Sequence, residues 1–175
     1  MLKEKVLDAL NEQLNKEFYS AYLYLGMSSY FESHDLPGFA NFMRVQWEEE
    51  MSHAMRIYNY INEVGGKVKL KTINAVEKEW NSVIEVFEDI YKHECFITES
   101  INEVLYLAQQ EKDYATMNML QWFISEQVEE EANMLKILNQ LKLIKGEGTG
   151  LFMLDRELGQ RIAQVSLNPS LNTNN

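Results

Sequence analysis

The chain has 175 residues, enough for one domain with a substantial core, and 46% of them are hydrophobic, as in ordinary soluble folds. Its net charge of −11 disfavours nucleic acid and anionic membrane surfaces and favours cations. Cys95 is the only cysteine, which excludes an internal disulfide, a CxxC redox pair and a cysteine zinc site.

Four long helical patterns follow one another, at about 4–34, 38–65, 80–110 and 113–143, with a short fifth at 151–163. With only two prolines, Pro37 and Pro169, long helices are allowed. Asp35-Leu36-Pro37-Gly38 separates the first helix from the second, and Gly65-Gly66 ends the second. Lys112-Asp113 is the break between the third and fourth, and the glycine-rich run Gly146–Gly150 ends the fourth. In the fifth, Leu151, Leu154, Leu158 and Ile162 recur at helical spacing. Residues 1–163 read as one domain, and 164–175 as a loose tail. No apolar run approaches the roughly 20 residues that span a bilayer. The opening Met1–Lys5 carries acid early and has no secretory apolar core, so the expected location is the cytoplasm.

Each long helix carries one apolar seam with steps of three or four residues, the spacing of a left-handed bundle. The first runs through Leu7, Leu10, Leu14, Glu17, Ala21 and Tyr24. The second includes Met43, Gln46, Glu50, His53 and Ile57. The third includes Ile90, Glu94 and Ile97, and the fourth Phe123, Gln127, Glu130 and Met134. All four seams turn polar near mid-helix. Midpoints share one level in a bundle whichever way each helix runs, so Glu17, Glu50, Glu94 and Glu130 should converge.

The link 67–79 lacks a helical seam and contains the strand-like Val68-Lys69-Leu70. Extended, it reaches roughly 45 Å, against roughly 42 Å for the second helix. It can therefore cross the whole bundle and leave helices two and three parallel. Helix one also carries further apolar residues, Phe18, Tyr22 and Leu25 with Tyr19, Leu23, Met27 and Tyr30. A helix apolar nearly all round must be covered on several sides, which points to a homo-oligomer.

Glu50-Met51-Ser52-His53 places a carboxylate and an imidazole on one helical face, so both can reach one metal ion. Alone, ExxH is a weak signal; level with three other seam glutamates it is a strong one. The competing reading is a hydrogen-bonded polar layer that sets helix register. Four carboxylates without a cation repel one another, which weighs against it. Four carboxylates match two divalent ions, and oxygen ligands with one imidazole suit iron, manganese or zinc. Open coordination positions favour redox chemistry on two Fe(II) ions with O2 or H2O2.

The segments Leu14–Tyr22, Glu48–Ala54, Tyr91–Glu94 and Glu126–Glu131 carry a resemblance. Along about residues 1–163 the sequence resembles the non-haem ferritins of bacteria and archaea. The resemblance implies an all-α, ferritin-like four-helix bundle with a long crossover between helices two and three and a short fifth C-terminal helix. It implies a hollow 24-mer that oxidises Fe(II) as a ferroxidase and stores ferric mineral for iron homeostasis. Glu17, Glu50 and His53 would hold a first iron; Glu50 would bridge to a second held by Glu94 and Glu130, with Gln127 close by. A third, looser iron position would use Glu49, Glu126 and Glu129. Tyr24 and Trp122 would donate electrons or hydrogen bonds, or simply pack. His34 and His93 would lie at the surface or beside the ligands, and Cys95 would be a small core residue.

Departures matter too. The fourth helix has Gln127-Val128-Glu129-Glu130 where haem-binding relatives usually carry a second ExxH, so no haem is expected. Met51 does stand at the register of their haem-ligating methionine, which keeps a haem-binding bacterioferritin as an alternative. A di-iron oxidase or peroxide reductase without storage is another, and a purely structural helical oligomer a third. The region near Met117 and Leu120, acid-lined in animal ferritins around the threefold pore, is apolar here.

Overall fold

In the computed structural model, which describes residues 3–163, the chain forms α1 (Glu4–Ser33), α2 (Pro37–Glu63), α3 (Val83–Gln110), α4 (Tyr114–Leu143) and α5 (Gly148–Leu158). No strand occurs among the described residues, and the architecture is all-α. The tail expected at 164–175 lies outside the described residues.

The long helices stop in one way. The residue after each cap turns left-handed, and the next N–H reaches back into the last turn: Leu36 to Phe31, Gly66 to Ile61, Asp113 to Ala108 and Gly146 to Leu141. After α2 the left-handed residue is Gly65, at φ 75°. Asp35, Lys112 and Lys145 adopt φ 57°, 55° and 56° despite their Cβ atoms.

Two helices differ from their expected bounds by three residues or more at an end. α3 begins at Val83, not 80, because Ser82 caps it: its hydroxyl accepts from Glu85 N at 3.1 Å. Glu85 returns the favour one residue earlier, accepting from Asn81 N at 2.9 Å. α5 begins at Gly148 and ends at Leu158, so Ile162 lies beyond it and is exposed. The chain leaves the helix there because Arg161 O is drawn to Asn41 Nδ2 on α2, 3.0 Å away.

Helix directions follow from the contacts between helices. Ser28 of α1 bonds Ala40 O at the start of α2, whereas Glu17 gathers with Glu50 and His53 further along, so α1 and α2 are antiparallel. On α3, Tyr24 meets Glu94 and Lys16 meets Ser100, so α1 and α3 are antiparallel as well. α2 and α3 therefore run parallel. Val86, Phe87 and Ile90 pack with Met134, Ile137 and Leu141, while Ile101, Val104 and Ala108 pack with Leu120 and Phe123. α4 thus runs back along α3.

The crossover rises along α1. Asn11 accepts from Lys69 N at 2.6 Å and donates to Lys67 O at 3.1 Å. One turn on, Asn15 accepts from Lys71 N at 2.7 Å and donates to Lys69 O at 3.0 Å. The two amides offer the extended backbone what a neighbouring strand would, so a strand-like sequence lies extended without joining a sheet. Further along, Val76 packs over Gly26, and Trp80 sits edge-on to Tyr30 with ring centroids 5.7 Å apart. The crossover thereby covers part of the extra apolar face of α1, reaching Tyr19, Leu23 and Tyr30. Tyr22 and Leu25 remain exposed, at 48% and 42%.

α5 docks end-on. Asp155 accepts from Gly38 N at 2.8 Å and Phe39 N at 3.0 Å, capping the start of α2. A Cβ on Gly38 would fall 1.7 Å from Asp155 O, so only glycine fits.

The core is split. One apolar cluster joins Tyr24, Phe31, Phe39, Phe87, Met134 and Leu154; the other joins Leu10, Leu14, Ile57, Ile101, Leu120 and Phe123. A polar layer at mid-length separates them.

Candidate metal centre

That layer holds the predicted carboxylates. Glu17, Glu50, His53, Glu94, Gln127 and Glu130 are all buried, none more than 6% exposed. Each comes from the middle of a long helix, on the seam that elsewhere carries leucine, isoleucine or phenylalanine.

Glu17, Glu50 and His53 form the tightest group, with one ligand atom from each within 4.8 Å of the others. His53 Nδ1 lies 3.5 Å from Glu50 Oε2. Glu17 Oε1 accepts from Gln13 Nε2 at 2.7 Å. Glu17 Oε2 and Glu50 Oε2 are buried without any hydrogen-bond partner. A buried carboxylate oxygen with no donor is costly, and a metal ion is the partner this donor set suits. Burial pushes the Glu17 carboxyl up to about 8, with the Glu50 charge adding to the effect. Glu50 is held well above the usual carboxylate range, by burial first and then by Glu94 and Glu130.

Glu94 and Glu130 face Glu50 across the layer, each tied by hydrogen bonds. Tyr24 donates its hydroxyl to Glu94 Oε1, and Gln127 Nε2 donates to Glu94 Oε2 at 3.1 Å. Burial raises Glu94 to about 7, aided by the Glu130 charge. Gln46 Nε2 donates to Glu130 Oε2 at 3.0 Å. Glu94 and Glu130 lie outside the 4.8 Å group of Glu17, Glu50 and His53. Tyr24 is fully buried, and its phenol is pushed well above its ordinary value by burial and then by Glu94 and Glu50.

The third predicted set, Glu49, Glu126 and Glu129, lines a cavity of about 510 Å³ beside the layer. His53 and Glu130 form part of its wall, so the cavity adjoins the buried group. Glu129 is exposed, and Glu49 and Glu126 are half-buried. Glu49 Oε2 lies 2.6 Å from Arg161 Nη2. Burial lifts Glu49 to about 7, against the pull of Arg161.

The remaining candidates sit around the centre. Trp122 is half-buried and edge-on to His53, centroids 5.4 Å apart, with the Arg56 guanidinium 4.1 Å over its ring. His93 points the other way, 2.8 Å from Ser20 Oγ and edge-on to Tyr24. Burial lowers it to about 4, so it is neutral near pH 7. His34 lies exposed in the turn between α1 and α2, its ring tilted against that of Tyr30 with centroids 4.1 Å apart. Cys95 is half-buried, and burial pushes its thiol up.

Three residues went unassigned from sequence. Gln13 stands one turn before Glu17, a visible helical pair, and Ser100 in turn donates to Gln13. Gln46 lies on the α2 seam, but its partner Arg161 is remote in sequence and carried no signal.

A family model described as Ferritin-like domain matches residues 7–144. A bacterial non-heme ferritin of Campylobacter jejuni is 43% identical over 156 residues, covering 89% of this chain and 93% of that protein. The Escherichia coli O157:H7 bacterial non-heme ferritin is 40% identical over 158 residues, covering 90% and 96%. Among solved structures, an open pore ferritin from the archaeon Archaeoglobus fulgidus superposes with TM-score 0.91 at 50% identity, covering 92% of this chain and 98% of that one. No helix among the described residues is long and apolar enough to cross a membrane. On the family match, the identity to both bacterial proteins and the shared fold, the chain belongs to the ferritin-like family.

Proposed function

We propose that this protein stores iron, oxidising Fe(II) at a pair of positions inside each subunit and holding the ferric product within a hollow 24-mer. The observation that carries the reading is the pair of buried, unpartnered oxygens, Glu17 Oε2 and Glu50 Oε2, beside His53. Fe(II) arriving there supplies the missing partner and displaces protons from carboxyls that burial keeps protonated. Glu17, Glu50 and His53 hold the first ion. Glu50 reaches toward the second, held by Glu94 and Glu130, with Gln127 fixing Glu94. Two Fe(II) release two electrons, enough to convert O2 to H2O2, or H2O2 to water. Tyr24, bonded to Glu94, orients that carboxylate toward the second ion. Glu49, Glu126 and Glu129 form a third, looser position on the way out of the centre.

Storage rests on family membership and on the names of the relatives, which are ferritins described as non-heme. The exposed Tyr22 and Leu25 are candidate contacts between copies. A cytoplasmic location fits this role. Aerobic loading with many Fe(II) per chain tests the whole reading. The expected result is soluble ferric iron that co-migrates with a particle of roughly half a megadalton. Ferric precipitate outside a small oligomer refutes storage, and no Fe(II)-dependent oxygen uptake refutes the oxidase step.

A further inference from the structure

Arg161 occupies a position that its sequence context gives no reason to expect. It follows α5, yet its guanidinium reaches back to α2. Nη2 lies 2.6 Å from Glu49 Oε2, and Nη1 donates to Gln46 Oε1. The Phe42 ring lies beneath it, 4.4 Å away, and Asn41 Nδ2 holds its backbone carbonyl at 3.0 Å. A side chain gripped on its charge, its plane and its backbone is not a loosely solvated arginine.

The cavity it borders is the one lined by Glu49, Glu126 and Glu129. We infer that Arg161 is the built-in cation of this cavity: its guanidinium and a third metal ion compete for Glu49, so each ion that enters must displace it. This rests on the reading that the cavity takes iron. Two positive charges sharing one half-buried carboxylate repel, so occupancy by one opposes the other.

Displacement has a second effect. The single amide of Gln46 accepts from Arg161 through Oε1 and donates to Glu130 Oε2 at 3.0 Å through Nε2. Arg161 thereby sets which way the amide faces, and so steadies Glu130. When the guanidinium leaves, Gln46 is free to rotate and Glu130 loses its donor. Arg161 acts as a positioning residue that links the outer position to the buried pair.

The test is calorimetric titration of the assembled, metal-free protein with Zn(II), which binds without turnover. The unmodified protein should take two ions tightly and a third more weakly. In R161Q the third ion should bind at least tenfold tighter, with the first two still counted. R161K, which keeps charge and stem but not the two-pronged grip, should give a smaller gain, about threefold. Adding E49Q to R161Q should abolish the third ion. A purely structural arginine predicts the opposite sign, because its loss would weaken every site. Third-ion affinity unchanged or weaker in both Arg161 variants overturns the inference, as does the absence of a third ion in all forms that bind two. Failure of the unmodified protein to bind the first two overturns the parent reading along with this one.

Discussion

Tyr24 on α1 donates its hydroxyl to Glu94 on α3, at the level where apolar core gives way to carboxylates. The phenol sits wholly inside the bundle, so its proton has no water to exchange with directly. Glu94 is then held from two sides, by Tyr24 and by Gln127. Tyr24→Phe keeps the packing and removes one donor to a carboxylate, a change of about 2 kcal/mol. Fe(II) oxidation followed by stopped-flow absorbance should slow by roughly tenfold or more. Assembly, measured by size exclusion, should not change.

The raised carboxyls set a pH dependence. Glu17 and Glu94 lie at about 8 and about 7 when folded, above the ordinary 4.5. The native state therefore holds more protons than the unfolded chain between those values. The stability these groups favour is fully present below about 4.5 and is lost as pH rises through 7 to 8. Thermal melting of the metal-free protein should show this decline. Saturating Zn(II) should flatten it, and calorimetry in buffers of different ionisation enthalpy should show protons released on binding near pH 7.

Glu17→Gln separates function from stability. The amide has the shape of the acid without its charge, and Gln13 remains beside it. At pH 8 the metal-free variant should be more stable by about 1–3 kcal/mol, seen as a higher melting midpoint. On the proposed reading, rapid Fe(II) oxidation should fall at least tenfold, because the first ion would lose an anionic ligand.

Much of this centre was legible in sequence because burial interrupts a periodic pattern. A glutamate on a strict apolar seam is conspicuous, and Glu17, Glu50, Glu94 and Glu130 are all buried, with Glu17 and Glu50 in the tightest group. The crossover was legible from length alone. What was not legible depends on contacts distant in the chain. Nothing near Asn11 and Asn15 announces that their amides will hold Lys69 and Lys71. Arg161 likewise gave no sign that it would reach Glu49. α3 starts at Val83, three residues after the expected 80, where Ser82-Val83-Ile84-Glu85 carries a capping signature.

Gly38→Ala should be severe for its size. The added Cβ would meet Asp155 O at 1.7 Å, forcing α5 off the start of α2. The expected loss is about 1–3 kcal/mol, with faster proteolysis near Gly146–Gly150. Asp155→Ala should cost about 1 kcal/mol through the lost cap and expose the same segment less.

Lys145→Gly should stabilise. Lys145 stands at φ 56° just past α4, where a side chain is strained and glycine is not. Chemical denaturation should show a gain of about 0.5–1 kcal/mol, offset in part by the greater freedom of glycine when unfolded.

The polar layer lies at mid-helix, with an apolar cluster on either side of it. Its reacting groups are therefore insulated from the parts of the molecule most open to change. Loops can lengthen, helix ends can be recut and outer faces can acquire new contacts without moving a ligand. A lineage can thus revise its outer faces while inheriting the same buried set of side chains at the centre.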